Sequence, residues 1–141
     1  MIVELFVGLK IPDTTALTTK QTLESMNLHV KNLQRYDYYA FEIRGDQKQF
    51  EKKIASVDVI VNANKNIALF SLQQKGIKVL VKNLDGHSES LLYTLTERLE
   101  IKGIVKVTRG VVWVMDCSKE MAVEATTLLL YNPNFQEYQL L

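Results

Sequence analysis

The chain has 141 residues, 47% of them apolar and 23% charged, ordinary values for a globular protein. A balance of 17 basic and 16 acidic residues gives a net charge of +1, which argues against a mainly electrostatic hold on nucleic acid or an anionic membrane. Cys117 is the one cysteine, which excludes an intramolecular disulfide and a cysteine-rich metal cage. The opening Met-Ile-Val-Glu-Leu-Phe has no basic region ahead of a long apolar run, so neither a signal peptide nor a membrane span is expected, and the cytosol is the expected compartment.

In chain order, residues 2–9 alternate branched and aromatic side chains and read as a strand. Pro12 breaks the ladder, and Asp13 or Thr14 can cap a helix whose inner face carries Ala16, Thr19, Leu23 and Met26, with Asn27 as its stop. Residues 28–36 and 38–44 read as an antiparallel pair turning near Tyr36-Asp37, with one long bent strand as the alternative. Asp46 can cap a short helix through Phe50 and Ile54. Residues 57–61 and 67–72 both read as strands, and either can close this first stretch.

Gln73-Gln74-Lys75-Gly76 is a short polar junction that leaves little freedom between what precedes and follows it. A strand over 77–84 then leads to a turn at Asp85-Gly86-His87 and a helix with Leu91, Leu92, Leu95 and Leu99 on one face. Residues 104–108 and 111–117 read as a second strand pair bent at Gly110. Ser118 caps a helix bearing Met121, Ala125, Leu128 and Leu129, Asn132-Pro133 stops it, and 135–141 closes as a strand.

The same order of elements thus occurs twice, in residues 1–72 and 77–141. Ile2 onward answers to Ile77 onward, Thr22-Leu23-Glu24 to Thr94-Leu95-Thr96, and Arg35 to Arg109. The expected fold class is α+β: two β-α-β-β-α-β units, with mainly antiparallel sheets and helices on one face. Packing them sheet to sheet, as an intrachain pseudo-dimer, would bury a bare apolar face at roughly 25 cal/mol per Å².

Chemistry-bearing motifs are sparse. There is no Gly-x-Gly-x-x-Gly and no Walker loop, and the six glycines stand singly at breaks and at one strand end. His29 and His87 each lack a second imidazole nearby, so they read as surface or capping residues, and neither metal nor cofactor is expected. Cys117 beside Asp116 reads as an inert thiol, and Glu97 and Glu100 as solvated carboxylates. Tyr36, Tyr38 and Tyr39 beside Arg35 could stack bases, but near-neutral charge favours a strand with one aromatic face inward. No independent active site is expected.

The closing stretch Leu128-Leu129-Leu130-Tyr131-Asn132-Pro133-Asn134-Phe135-Gln136-Glu137-Tyr138 resembles the end of the PurS family, a helix running into Leu-Leu-x-Asn-Pro and then an acid-tyrosine strand. Ile104-Val105-Lys106-Val107-Thr108-Arg109-Gly110-Val111-Val112-Trp113 resembles that family's central strands, and Val7-Gly8-Leu9-Lys10 its opening. Three departures stand out: the family's Asp-Pro-x-Gly is only echoed, the first unit lacks an Asn-Pro stop, and the chain holds two units where members usually have one. The resemblance implies a non-catalytic subunit of phosphoribosylformylglycinamidine synthase in purine biosynthesis. Such a subunit bridges the ATP-dependent synthetase and the glutaminase that supplies ammonia. The interface residues it points to are Arg35, Arg109, Asn132, Pro133 and Tyr138. The alternative is a small-ligand regulatory module of two α+β units with its site between them; an RNA-binding protein using the tyrosine strand is a third reading.

Overall fold

The computed structural model describes residues 1–84 and 88–141, so the turn expected at Asp85-Gly86-His87 lies outside the described residues. The elements are β1 (Ile2–Leu9), α1 (Thr14–Ser25), β2 (Leu33–Ile43), α2 (Gln47–Ile54), β3 (Asn66–Leu69), β4 (Ile77–Asn83), α3 (Glu89–Tyr93), β5 (Ile104–Met115), α4 (Lys119–Ala125) and β6 (Gln136–Leu140). Helices α3 and α4 each run on into a wider π-turn, Thr94–Arg98 and Thr126–Leu130.

The class is α+β as expected, with one correction to the order. Each half reads β-α-β-α-β, because both expected strand pairs are single long strands: β2, which is the one-strand alternative for that stretch, and β5. Gly110 is not a bend. It lies inside β5, where an added Cβ would come within 2.7 Å of the Val81 carbonyl oxygen and 2.9 Å of Leu80 Cδ1. Residues 57–61 are not a strand either. Val61 N–H donates to the Val57 carbonyl at 2.8 Å, so Val57, Ile60 and Val61 meet the core at the i, i+3, i+4 spacing of a helical turn.

The sheets do not pack face to face. All six strands form one antiparallel sheet in the order β3-β1-β2-β5-β4-β6, joined at its centre by β2 and β5. That order reads the same when the halves are exchanged. The register agrees: Val7 pairs with Asp37 and Leu5 with Tyr39, while Val81 pairs with Val111 and Val79 with Trp113, at one constant offset. By this pairing β1 and β4 correspond through Val7 and Val81, one residue away from the Ile2–Ile77 match.

A shared turn strengthens the correspondence. Asn132 Oδ1 accepts from Asn134 N–H at 3.0 Å, and Gln136 Oε1 accepts from Asn132 N–H at 2.9 Å. In the first half Asn62 Oδ1 accepts from Asn64 N–H and Asn66 Oδ1 from Asn62 N–H, both at 2.9 Å. The first half therefore has the asparagine turn without the proline. The asparagine side chain supplies the turn in both places.

Neither half has a core of its own. One cluster joins Leu5, Phe41, Phe50 and Ile54 to Leu91, Leu95 and Val107. The other joins Leu23, Val30 and Leu33 to Val79, Trp113, Met115 and Ala125. Both lie on the helical face, one under α2 and α3, the other under α1 and α4. The opposite face carries Phe6, Tyr36, Tyr38, Leu80, Val112 and Val114. The junction straps across it: Leu72 packs there, and Gln74 Nε2 donates to Tyr36 Oη at 2.7 Å.

The π-turns alter the expected helical stripes. Leu91 and Leu95 are buried, but Leu99 is exposed. In the last helix Ala122, Ala125 and Thr126 face inward, and Leu128 and Leu129 face solvent. A widened turn rotates every later side chain relative to α-helical spacing.

The close approach at Gly110 makes a direct prediction. Gly110→Val forces β4 away from β5 and should cost about 1–3 kcal/mol, the usual scale of overpacking, read as a lower midpoint in urea unfolding with the slope unchanged.

Candidate functional site

β5 runs the length of β2, but β4 pairs only with its second half, from Val111 to Met115. Beyond Val81 the two strands part, and a groove of about 950 Å³ opens there, lined among others by Arg35, Asp37, Lys106, Arg109, Val111 and Trp113. The same parting of β1 from β2 makes a smaller groove of about 410 Å³, lined by Gly8, Asp13, Arg35, Tyr36 and Ile67. The two grooves occupy corresponding places. Their sizes differ because the residues do: the smaller has Tyr36 packed over Gly8, and the larger has Gly110 beside Lys82.

The polar floor of the large groove comes from the two central strands. Successive inward positions of β2 are Arg35, Asp37 and Tyr39, facing Trp113, Val111 and Arg109 of β5. Each arginine therefore lies across from an aromatic residue of the other half. Arg109 places its guanidinium carbon 5.5 Å from the centre of the Tyr39 ring, an attractive cation–π arrangement. Arg35 is held differently. Its Nε donates to Asp13 Oδ2 at 3.1 Å and its Nη2 to Oδ1 at 3.4 Å. Asp13 is also the cap of α1, accepting from the Thr15 and Ala16 N–H groups at 3.0 and 3.1 Å. One carboxylate thus fixes the start of a helix and the direction of an arginine.

Asp37 lies between the two arginines. Burial among the groove walls raises its carboxyl above the ordinary range, Arg35 and Arg109 pull it back down, and Asp13 adds a smaller upward push. Desolvation is the largest of these causes, while the Asp37 side chain stays exposed to solvent at the groove mouth. Around it Lys82 is paired with Glu137 at 3.7 Å. Among the described residues Arg109 and Lys106 have no ion-pair partner within 4.0 Å.

Of the residues expected at an interface, the structure brings together only Arg35 and Arg109. Asn132, Pro133 and Tyr138 belong to the far edge of the sheet, at β6. Asn132 forms its turn, Pro133 is exposed, and Tyr138 packs edge-on against Tyr131 with ring centres 4.9 Å apart. Asp37 and Lys106 were not singled out from the sequence. Asp37 stands at an inward position of an alternating strand next to an arginine, and that signal was hidden when Tyr36-Asp37 read as a turn.

The remaining candidates take bland roles. His29 is exposed, and the Cys117 thiol is pushed up by burial and by Asp116. Tyr36, Tyr38 and Tyr39 are buried, and Tyr38 Oη donates to Glu4 Oε2 at 2.6 Å. Among the described residues no group of three or more His, Cys, Asp or Glu is placed to hold a metal ion, and no helix is long and apolar enough to cross a membrane. No family model matches the chain, and no curated protein matches it significantly.

The charge arrangement at Asp37 is testable by titration. Its carboxyl carbon, followed by NMR, should titrate above the usual carboxylate midpoint, and Arg109→Gln should move it higher still, because a charge favouring ionisation is removed. Since folding raises this pKa, the protonated form favours the folded state. That contribution is present in acid and lost as pH rises through the folded value. Asp37→Asn should therefore melt like the parent chain in acid and somewhat higher at neutral pH.

Proposed function

We propose that this chain is a tandem PurS-like accessory subunit of the phosphoribosylformylglycinamidine synthase complex. In this reading it has no active site of its own and positions the ATP-dependent synthetase against the glutaminase. The observation that carries the proposal is the central β2–β5 pairing, which lets one chain present two corresponding halves in one sheet, as a pair of subunits would. Covalent linkage removes the concentration dependence of such a pair.

The two ends of the sheet also differ in the way a bridge needs. At corresponding turns the first half has Ala63-Asn64-Lys65 and the second has Pro133-Asn134-Phe135. Phe135 is half exposed at 52%, and Leu128 and Leu129 of the preceding π-turn are exposed as well. One end is basic and polar and the other apolar and aromatic, so each suits a different partner.

Capture of purified synthetase and glutaminase subunits by the tagged chain, with glutamine and nucleotide present, tests the proposal. Both should be retained. Phe135→Asp should weaken retention of one partner by tenfold or so, on the scale of an aromatic anchor, and leave the melting temperature unchanged. Retention of neither partner by the parent chain contradicts it.

The large groove favours a second reading, a regulatory module with a small-ligand site between its halves. Its volume of about 950 Å³ and its convergent charges suit a small molecule.

A further inference from the structure

The two grooves began from one plan and were finished differently. In the smaller one the guanidinium is tied to Asp13 and the ring of Tyr36 packs over Gly8. In the larger one Gly110 replaces the ring, and Arg109 rests on Tyr39 without an ion-pair partner within 4.0 Å among the described residues. A glycine at that position leaves room, and the five N–H donors of a guanidinium exceed what the contact of Arg109 with Tyr39 uses.

The charges in the large groove sort into pairs and a remainder. Arg35 is matched by Asp13, and Lys82 by Glu137. On the inward face of the strands the remainder is mixed in sign, Arg109 of β5 against Asp37 of β2, with Glu89 of α3 also lining the groove. A simple anion would gain from Arg109 and be repelled by Asp37 and Glu89. A simple cation would meet the reverse. A molecule carrying both charges a few ångströms apart satisfies the set. Beside Asp37 the floor turns apolar, with Val111 next to it and Trp113 beyond.

We infer that the large groove is a binding site for a zwitterionic α-amino acid with an apolar side chain. Its carboxylate is held by Arg109, its ammonium by Asp37, and its side chain lies along Val111 toward Trp113. The Asp37 carboxyl is accessible from the groove, and an arriving ammonium would favour its ionised form as the two arginines do. The inference rests on the second functional reading and is independent of partner capture, because it concerns the isolated chain.

Trp113 is the chain's one tryptophan, so its fluorescence reports directly on the site. The full chain is titrated with L-leucine and L-phenylalanine, and then with N-acetyl-L-leucine and L-leucinamide, which each remove one charge. A saturable fluorescence change with half-effect near or below about 1 mM, together with a higher melting temperature, is expected for the free amino acids. Either capped form should bind at least tenfold more weakly, as should Asp37→Asn and Arg109→Gln chains whose melting curves show that they are folded. Three results overturn the inference: no saturable change with either amino acid, equal binding of the capped forms, or binding untouched by both substitutions. A parallel arm with ATP and AMP separates the failures. A nucleotide that binds where amino acids do not would overturn the amino-acid inference and leave the ligand-module reading standing.

Discussion

The pairing of β2 with β5 is the constraint on which the rest depends. It runs from Leu33 opposite Met115 to Ile43 opposite Ile104, with one irregularity near its end. Because the two strands are antiparallel and central, each half's helices lie over strands of both halves, and the two cores are built jointly. The same pairing brings Arg35, Asp37 and Arg109 to the middle of one face. A chain joined only by its junction at 73–76 would have two small cores and no common floor. At this size a domain is marginal, and each half alone would also lose the apolar partners that the other half supplies to both clusters.

The two halves correspond in structure with few identical residues. Val7 and Val81, Leu23 and Leu95, Arg35 and Arg109, and Asn62 and Asn132 keep the scaffold, since they sit where register, burial or a turn demands them. The exchanges fall where the scaffold does not constrain them. The small residue of the close contact is Gly8 on β1 in one half and Gly110 on β5, beside the centre of the sheet, in the other. Either choice relieves the crowding, but only the second widens a groove. Fold and specialisation are therefore written at neighbouring positions.

Much of the fold was legible in the sequence because local patterns and tertiary demands agreed. Asp13, Asp46 and Ser118 cap their helices as their side chains allow, accepting from the Ala16, Gln49 and Met121 N–H groups. Strand alternation marked β1 and β4, and the offset of the arginines was right. The failures have physical causes. Gly110 looked like a bend and Tyr36-Asp37 like a turn, with one long strand as the alternative at the latter, because glycine and aspartate disfavour strands locally. Long-range pairing on both sides overrode that preference. Val57, Ile60 and Val61 mimicked a strand, since short apolar runs do not distinguish the two periods. Edge-to-edge joining was not readable at all, because a half-buried strand carries no mark of which strand lies beside it. The groove was half legible: the arginines were named, and Asp37 was hidden by the misread turn.

The most direct measurement of this account is fragment complementation. Residues 1–72 and 77–141 are expressed separately, and each is followed by circular dichroism and hydrogen exchange, alone and mixed. The shared cores require that each fragment alone lack protected strands, and that mixing restore a cooperative fold with slow exchange at the β2–β5 amides. Two fragments that each fold independently, or a mixture in which those amides stay unprotected, would contradict it.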